Sequence, residues 1–217
     1  MSRGYSVKEL FYTLQGEGAQ AGRAAVFLRF TGCNLWSGRP EGRATGAGGC
    51  ARWCDTDFVG TDGPGGGRFL SAGQLAEAVD ATWTAPRQGA TPLVVCTGGE
   101  PLLQLDPALI EALHARGFEV AVETNGTVPL PPGLDWVCVS PKAGAPVVVT
   151  GGDELKLVYP QEGVDPAEFE SLDFARWMLQ PLDGPDRAAH TEAVVRYCLA
   201  HPRWRVSLQT HKLLGIP

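Results

Sequence analysis

Basic charge, cysteine and long apolar runs are all scarce in this chain, and each shortage excludes a class of protein. Lysine and arginine number 18 against 24 aspartates and glutamates, a net charge of −6. A general nucleic-acid or membrane-surface binder needs a basic face to neutralise phosphates, so neither kind of partner is expected. Six cysteines in 217 residues fall far below the roughly 8 to 10% of a secreted scaffold built on disulfides. No uninterrupted apolar stretch approaches the ~18 residues of a membrane span. The opening residues, Met1-Ser2-Arg3-Gly4-Tyr5-Ser6-Val7-Lys8-Glu9-Leu10, place charges where a signal peptide needs an apolar core. The expected setting is a reducing cytoplasm, where clustered cysteines are more often metal ligands or redox groups than bridges. Glycine (28) and proline (17) make up about a fifth of the chain, under the roughly 25 to 30% that marks low complexity. With 44% hydrophobic residues, one folded domain over 1–217 is expected.

Seven short runs rich in branched or aromatic residues read as strands: Val26 to Phe30, Leu93 to Cys96, Phe118 to Val122, Trp136 to Val139, Leu155 to Val158, Trp177 to Leu179 and Val206 to Leu208. Helix start signals lie between them. Ser71-Ala72-Gly73-Gln74 is a capping-box pattern before Leu75 to Trp83, and Asp106-Pro107 and Asp165-Pro166 each set a cap before a proline. Gly117 suits a helix stop, and a helix over about Asp186 to Ala200 places Thr191, Val194, Val195, Cys198 and Leu199 on one face. Strands apolar on both sides and alternating with helices predict an α/β fold of mostly parallel strands. About six core strands and three to four helices are too few for a closed eight-unit barrel, so a shortened, open, partial TIM-like barrel is expected. Ser37 to Gly49 and Gly60 to Arg68 read as loops by composition.

Polar residues follow each strand at one end, as in Thr31-Gly32-Cys33, Thr97-Gly98-Gly99-Glu100-Pro101, Glu123-Thr124-Asn125-Gly126, Ser140-Pro141-Lys142, Gln180-Pro181-Leu182-Asp183 and Gln209-Thr210-His211. In barrels and open parallel sheets that end is where ligands bind. Cys33, Cys50 and Cys54 fall in a glycine-rich stretch, 32–58, where the backbone can curl so that three sulfurs reach one point. Three cysteines fit a cubane iron-sulfur cluster with one iron left free for a small chelating molecule. A structural zinc remains an alternative, its fourth ligand coming from His114, His190, His201 or His211, although none lies in the loop. Cys96, Cys138 and Cys198 sit in apolar surroundings, where a free thiol acts as a small hydrophobe.

These residues resemble a family. Gly32-Cys33-Asn34-Leu35-Trp36, Trp53-Cys54-Asp55-Thr56, Thr97-Gly98-Gly99-Glu100-Pro101, Glu123-Thr124-Asn125-Gly126 and Ser140-Pro141-Lys142 are similar to the radical S-adenosylmethionine superfamily. Tyr12-Thr13-Leu14-Gln15-Gly16-Glu17-Gly18 near the start and Gln209-Thr210-His211-Lys212 near the end narrow the resemblance to the 7-carboxy-7-deazaguanine synthase family, from end to end of the chain. The superfamily pattern spaces its cysteines by three and then two residues; here the gaps are sixteen and three.

The resemblance implies a radical ring contraction of 6-carboxy-5,6,7,8-tetrahydropterin with loss of ammonia, in queuosine and 7-deazapurine biosynthesis. It implies a 4Fe-4S cluster on Cys33, Cys50 and Cys54. S-adenosylmethionine is then expected near Trp53, Cys54, Asp55, Gly98, Gly99, Glu100, Glu123, Asn125, Ser140, Pro141, Lys142, Gln180, Pro181, Leu182 and Asp183. Substrate is expected at Leu14, Gln15, Gly16, Glu17, Arg29, Thr97, His211 and the carboxylate of Pro217, with Mg²⁺ on the Thr56 hydroxyl. Arg29, between Leu28 and Phe30, is a fork-shaped donor suited to a carboxylate, and would otherwise be half of a structural ion pair. An electron donor such as flavodoxin or ferredoxin and a homodimer belong to the same expectation. Two other readings are a glycyl-radical activase and a zinc-stabilised binding module that is not an enzyme.

Overall fold

The computed structural model describes residues 4–87 and 89–217. Met1, Ser2 and Arg3, the start of the stretch expected to be too charged for a signal peptide, lie outside the described residues. In chain order the strands are β1 (Tyr5–Leu14), β2 (Ala24–Phe30), β3 (Gly67–Phe69), β4 (Leu93–Gly98), β5 (Glu119–Thr124), β6 (Trp136–Val139), β7 (Gly151–Gly152), β8 (Glu154–Tyr159), β9 (Asp173–Phe174), β10 (Trp177–Pro181) and β11 (Trp204–Val206). The helices are α1 (Ala72–Thr82), α2 (Pro107–His114), α3 (Arg187–Ala200) and α4 (Thr210–Leu214). Nine strands make one sheet in the order β11-β10-β8-β6-β5-β4-β2-β1-β3, while β7 and β9 pair separately. The run from β2 to β11 is parallel throughout. β1 and β3 add an antiparallel margin. Among the described residues β11 and β3 do not pair, so the sheet is open, the α/β incomplete-barrel architecture expected.

Period-two alternation decides what each face carries. Val26, Leu28, Phe30, Val94, Cys96, Val120, Val122, Leu155, Leu157 and Leu179 point into one apolar core. Leu75 and Val79 of α1, Leu109, Ile110 and Leu113 of α2 and Val194 of α3 close that core. The intervening residues of the same strands, Arg29, Thr97, Glu123, Cys138, Glu154, Lys156 and Gln180, therefore share the opposite face. Cross-strand register lines up Glu9, Arg29 and Thr97, and separately Glu123, Cys138 and Glu154. Polar groups buried in the middle of parallel strands are costly unless paired, and that face is where the site lies.

Two of the three helix start signals open α-helices. The Ser71 hydroxyl accepts from the Gln74 amide at 3.2 Å, and Asp106 accepts from the Leu109 amide at 2.9 Å. Gly117 stops α2 with a positive φ of 78°. Several expectations need correction. The first strand, β1, was not expected, because Lys8 and Glu9 interrupt its apolar pattern; Lys8 is nonetheless 7% exposed, its ammonium satisfied by Asp57, Asp62 and the Val59 carbonyl. Asp165-Pro166 opens only a single 3-10 turn, Pro166–Phe169, too short to bury a helical stripe. The last strand sits two residues earlier than expected, because Trp204 at 2% exposure is its core anchor while Leu208 stays 39% exposed. Gly67 and Arg68, the end of the stretch assigned to a loop, belong instead to β3, which pairs with β1. On α3 only Val194 is buried, with Cys198 partly buried against the core, while Val195 and Leu199 are 41% and 79% exposed, so only part of the expected face packs.

Candidate active site

Two cavities lie against the polar face of the sheet. The larger, about 360 Å³, is lined by Leu14, Gln15, Gly16, Glu17, Arg29, Thr97, His211 and Pro217. All eight residues expected at the substrate therefore meet in one place. The loop after β1 packs against α4: the Thr210 amide and hydroxyl both donate to the Gly16 carbonyl at 2.9 Å. A Cβ at Gly16 would collide with the His211 ring, so glycine there sets how close the two ends of the chain come. Pro217 is held by the Thr13 hydroxyl, which donates to its carbonyl at 3.0 Å. Arg29 uses its Nε to donate to Glu9 at 2.7 Å. That pair is the structural alternative for Arg29, yet the side chain also reaches the cavity.

The second cavity, about 180 Å³, is lined by Cys33, Cys50, Cys54, Trp53, Asp55, Thr56, Gly98, Gly99, Glu123, Asn125, Ser140, Lys142 and Gln180. Burial pushes the Cys33 and Cys50 thiols up; Cys54 pushes Cys33 further, and Cys54 and Cys33 push Cys50 further. The three thiols thus share one locality. Lys142 stands close enough to oppose the shift of Cys50. Its ammonium, itself pushed down by burial, donates to the Ser140 carbonyl at 2.8 Å and hydroxyl at 2.5 Å. Arg43, from the stretch between the first two cysteines, donates to the Ala51 carbonyl at 2.9 Å and the Cys54 carbonyl at 3.2 Å, with its guanidinium 4.6 Å from the Trp36 ring centre.

Not every residue expected near S-adenosylmethionine lines this cavity. Pro181, Leu182 and Asp183 border an adjoining recess of about 50 Å³ shared with Trp53, Asp55 and Gln180. Glu100 is fully buried and turned inward: it accepts from the Leu102 amide, the Thr124 hydroxyl and the Asn125 amide at 3.0, 2.8 and 2.8 Å. Pro141 is buried and lines neither cavity. Gly98 and Gly99 have a packing reason beside a ligand: a Cβ on either would strike backbone of Phe30 or Gly32.

Six residues, Glu17, Asp55, Thr56, Thr97, Glu123 and Gln209, face both cavities, so the spaces communicate. Beneath this shared wall, Lys156 donates to Glu17 at 2.7 Å and to Glu123 at 2.9 Å. Burial alone would raise the Glu17 carboxyl, but Lys156, with help from Gln209, holds it at about 2. His211 is pushed below its usual value, chiefly by burial, which keeps a neutral ring near neutral pH. Sequence motifs missed Glu9, Phe11 and Phe27 in the larger cavity and Lys156 in the smaller, while Gln209 and Lys212, which also line the larger cavity, stand in the Gln209-Thr210-His211-Lys212 motif without having been assigned a role. The available signal was alternation: a lysine between two leucines in a central strand has to face something that compensates its charge.

The donor set suits a cluster better than a single ion. Among the described residues no three His, Cys, Asp or Glu side chains converge tightly enough to hold one ion. None of the four histidines lines the cysteine cavity: His114 is bonded to Asp135, and His190 and His201 to backbone carbonyls. Among the described residues no helix is long and apolar enough to cross a membrane.

No family model matches the chain. It is 64% identical over 213 residues to the 7-carboxy-7-deazaguanine synthase of Caulobacter vibrioides, covering 98% of this chain and 99% of that protein. The same figures hold for the enzyme of that name from Bordetella pertussis. The crystal structure of QueE from Escherichia coli superposes with a TM-score of 0.67 at 28% identity, covering 94% of this chain and 93% of that one. Near-complete coverage at this identity leaves the zinc-stabilised binding module without support. The chain belongs to the 7-carboxy-7-deazaguanine synthase family, enzymes of the radical S-adenosylmethionine class.

Proposed function

We propose that the joined cavities convert 6-carboxy-5,6,7,8-tetrahydropterin to 7-carboxy-7-deazaguanine with release of ammonia. The observation that carries this reading is the shared wall, which sets a ring in the larger cavity directly beside whatever the three thiols hold in the smaller. Cys33, Cys50 and Cys54, which line the smaller cavity, would hold a 4Fe-4S cluster, and together with S-adenosylmethionine it would supply the radical chemistry that such a rearrangement needs. Asn125, Ser140, Lys142 and Gln180 line the smaller cavity with groups for the ribose and carboxylate of that cofactor.

In the larger cavity Phe11 and Phe27 stack with ring centres 5.5 Å apart and give a flat ring an apolar neighbour. Arg29, anchored by Glu9 through Nε, turns the rest of its guanidinium toward a substrate carboxylate. Gln15, Glu17, Glu123 and His211 read the donor and acceptor edge of the pterin. Thr56, on the shared wall, is the protein ligand of Mg²⁺. The carboxylates beside it are paired with lysines, Asp55 with Lys212 and Asp57 with Lys8, so the other oxygen ligands of a bound Mg²⁺ would come from substrate and water.

The reductant is a small electron carrier of the flavodoxin or ferredoxin kind, and the reaction belongs to the cytoplasm. A second copy of the chain covers the exposed leucines of α3 and α4, where Leu199 is 79% and Leu213 and Leu214 are each 63% exposed. The test is anaerobic reconstitution with iron, sulfide, reductant, Mg²⁺, S-adenosylmethionine and the pterin. Mass spectrometry is expected to find the deazaguanine product with S-adenosylmethionine regenerated. Absence of that product from cluster-loaded protein refutes the proposal, and cofactor consumed in step with turnover points to an activase instead.

A further inference from the structure

Lys156 lies in the middle of β8, 4% exposed, and no ligand motif of the sequence includes it. Its ammonium donates to Glu17 Oε2 and Glu123 Oε2. The remaining oxygens of both carboxylates are also engaged: Gln209 Nε2 donates to Glu17 Oε1 at 3.0 Å, and Gln15 Nε2 donates to Glu123 Oε1 at 3.2 Å. Around this hub stand Glu17 from the loop after β1, Glu123 from β5, Cys138 from β6, Lys142 from the loop after β6, Glu154 from β8 itself and His211 from α4. Glu154 is 1% exposed and accepts from the Ala19 amide at 2.6 Å. Three carboxylates thus gather about one central ammonium, and two of them, Glu17 and Glu123, face both cavities.

We propose that Lys156 is a positioning residue that keeps Glu17 and Glu123 as a fixed pair of acceptor-only carboxylates, and so selects a ring edge presenting N–H donors. The inference deepens the function proposed above and rests on the pterin occupying the larger cavity. An ionised carboxylate can only accept hydrogen bonds, whereas a protonated one also donates. The amino and ring N–H groups of a pterin need acceptors. Among the described residues the ammonium is the one group that donates to both the Glu17 and Glu123 carboxylates; removing it leaves two like charges side by side, an arrangement that favours uptake of one proton by the pair. That proton would turn an acceptor into a donor facing a donor, and the pair would lose its fixed orientation.

The test is equilibrium binding of the pterin to anaerobic, cluster-loaded protein without reductant, measured by calorimetry from pH 6 to pH 9. Lys156→Met removes the charge and keeps an unbranched chain. Its dissociation constant is expected to rise about tenfold at pH 7 and to recover as the pH rises and the shared proton leaves. The wild type is expected to stay nearly flat over that range. The variant Lys156→Met with Glu123→Gln has one carboxylate fewer, needs no shared proton and serves where the single variant does not fold. It is expected to bind weakly but without the pH dependence. Wild-type affinity and a flat profile in Lys156→Met overturn the proposal, and so does wild-type affinity in the double variant. Failure of the wild type to bind the pterin at all refutes the functional reading instead.

Discussion

At the scale of single residues, the site depends on atoms that are missing as much as on those present. Gly16 has no Cβ, and the His211 ring occupies the space one would need. Gly16→Ala is therefore expected to push His211 out of the larger cavity and weaken pterin binding by roughly tenfold, the cost of about one buried hydrogen bond. Its iron and sulfide content should stay at the wild-type level, since the cysteines lie elsewhere. Titration of the pterin into the variant checks this, and unchanged affinity would remove His211 from the substrate wall. Much of this scale was legible in the sequence. Gln15, Glu17, Thr97 and His211 stand at strand ends in recognisable motifs, and the fold brings them together. Lys156 was not legible, because its partners Glu17 and Glu123 are 139 and 33 residues away along the chain. Glu100, whose motif suggested ligand contact, uses its oxygens to fix the turn and the start of the Asn125 loop and lines neither cavity.

At the scale of elements, the lengthened gap between Cys33 and Cys50 has a structural use. The Arg43 guanidinium holds the Ala51 and Cys54 carbonyls and stacks on Trp36, while the Ala47 amide donates to the Leu35 carbonyl at 2.8 Å and the Gly49 amide to the Ala143 carbonyl at 2.8 Å. The inserted stretch is thus folded back as a brace on the loop that carries the cysteines. Replacing Arg43 by glutamine removes two charge-assisted bonds. The Arg43→Gln cluster is expected to lose iron to a chelator roughly three- to tenfold faster than wild type, read from the fading of its visible absorbance. An unchanged rate would show that the brace is dispensable. Composition marked this stretch only as a loop, because glycine and alanine do not announce where one arginine will anchor. The parallel strands were readable from their branched residues. β1 was hidden because charged residues with partners far along the chain interrupt it, as Lys8 does with Asp57 and Asp62.

At the scale of the whole molecule, the buried charges set how stability responds to acid. The Glu17 carboxyl, raised by burial but overruled by Lys156, sits at about 2 instead of the usual 4.5. A carboxyl depressed by folding stabilises the native state above its unfolded pKa, and that contribution disappears as pH falls from 4.5 towards 2. Glu100 and Glu154 run the other way: burial lifts both, so their cost is felt at neutral pH and fades in acid. The melting temperature of the wild type is expected to fall between pH 4.5 and 2, and Glu17→Gln should flatten that decline while melting lower at neutral pH. Parallel curves for the two proteins, followed by circular dichroism, would show that the Lys156 hub contributes nothing to acid sensitivity.

The larger cavity takes walls from residues 14–17 and from residues 209–217. On the proposed reading, removing residues 209–217 strips one wall from the pterin site while leaving Cys33, Cys50 and Cys54 in place. Sensitivity to trimming of the tail is built into the way the two ends of the chain are stitched together.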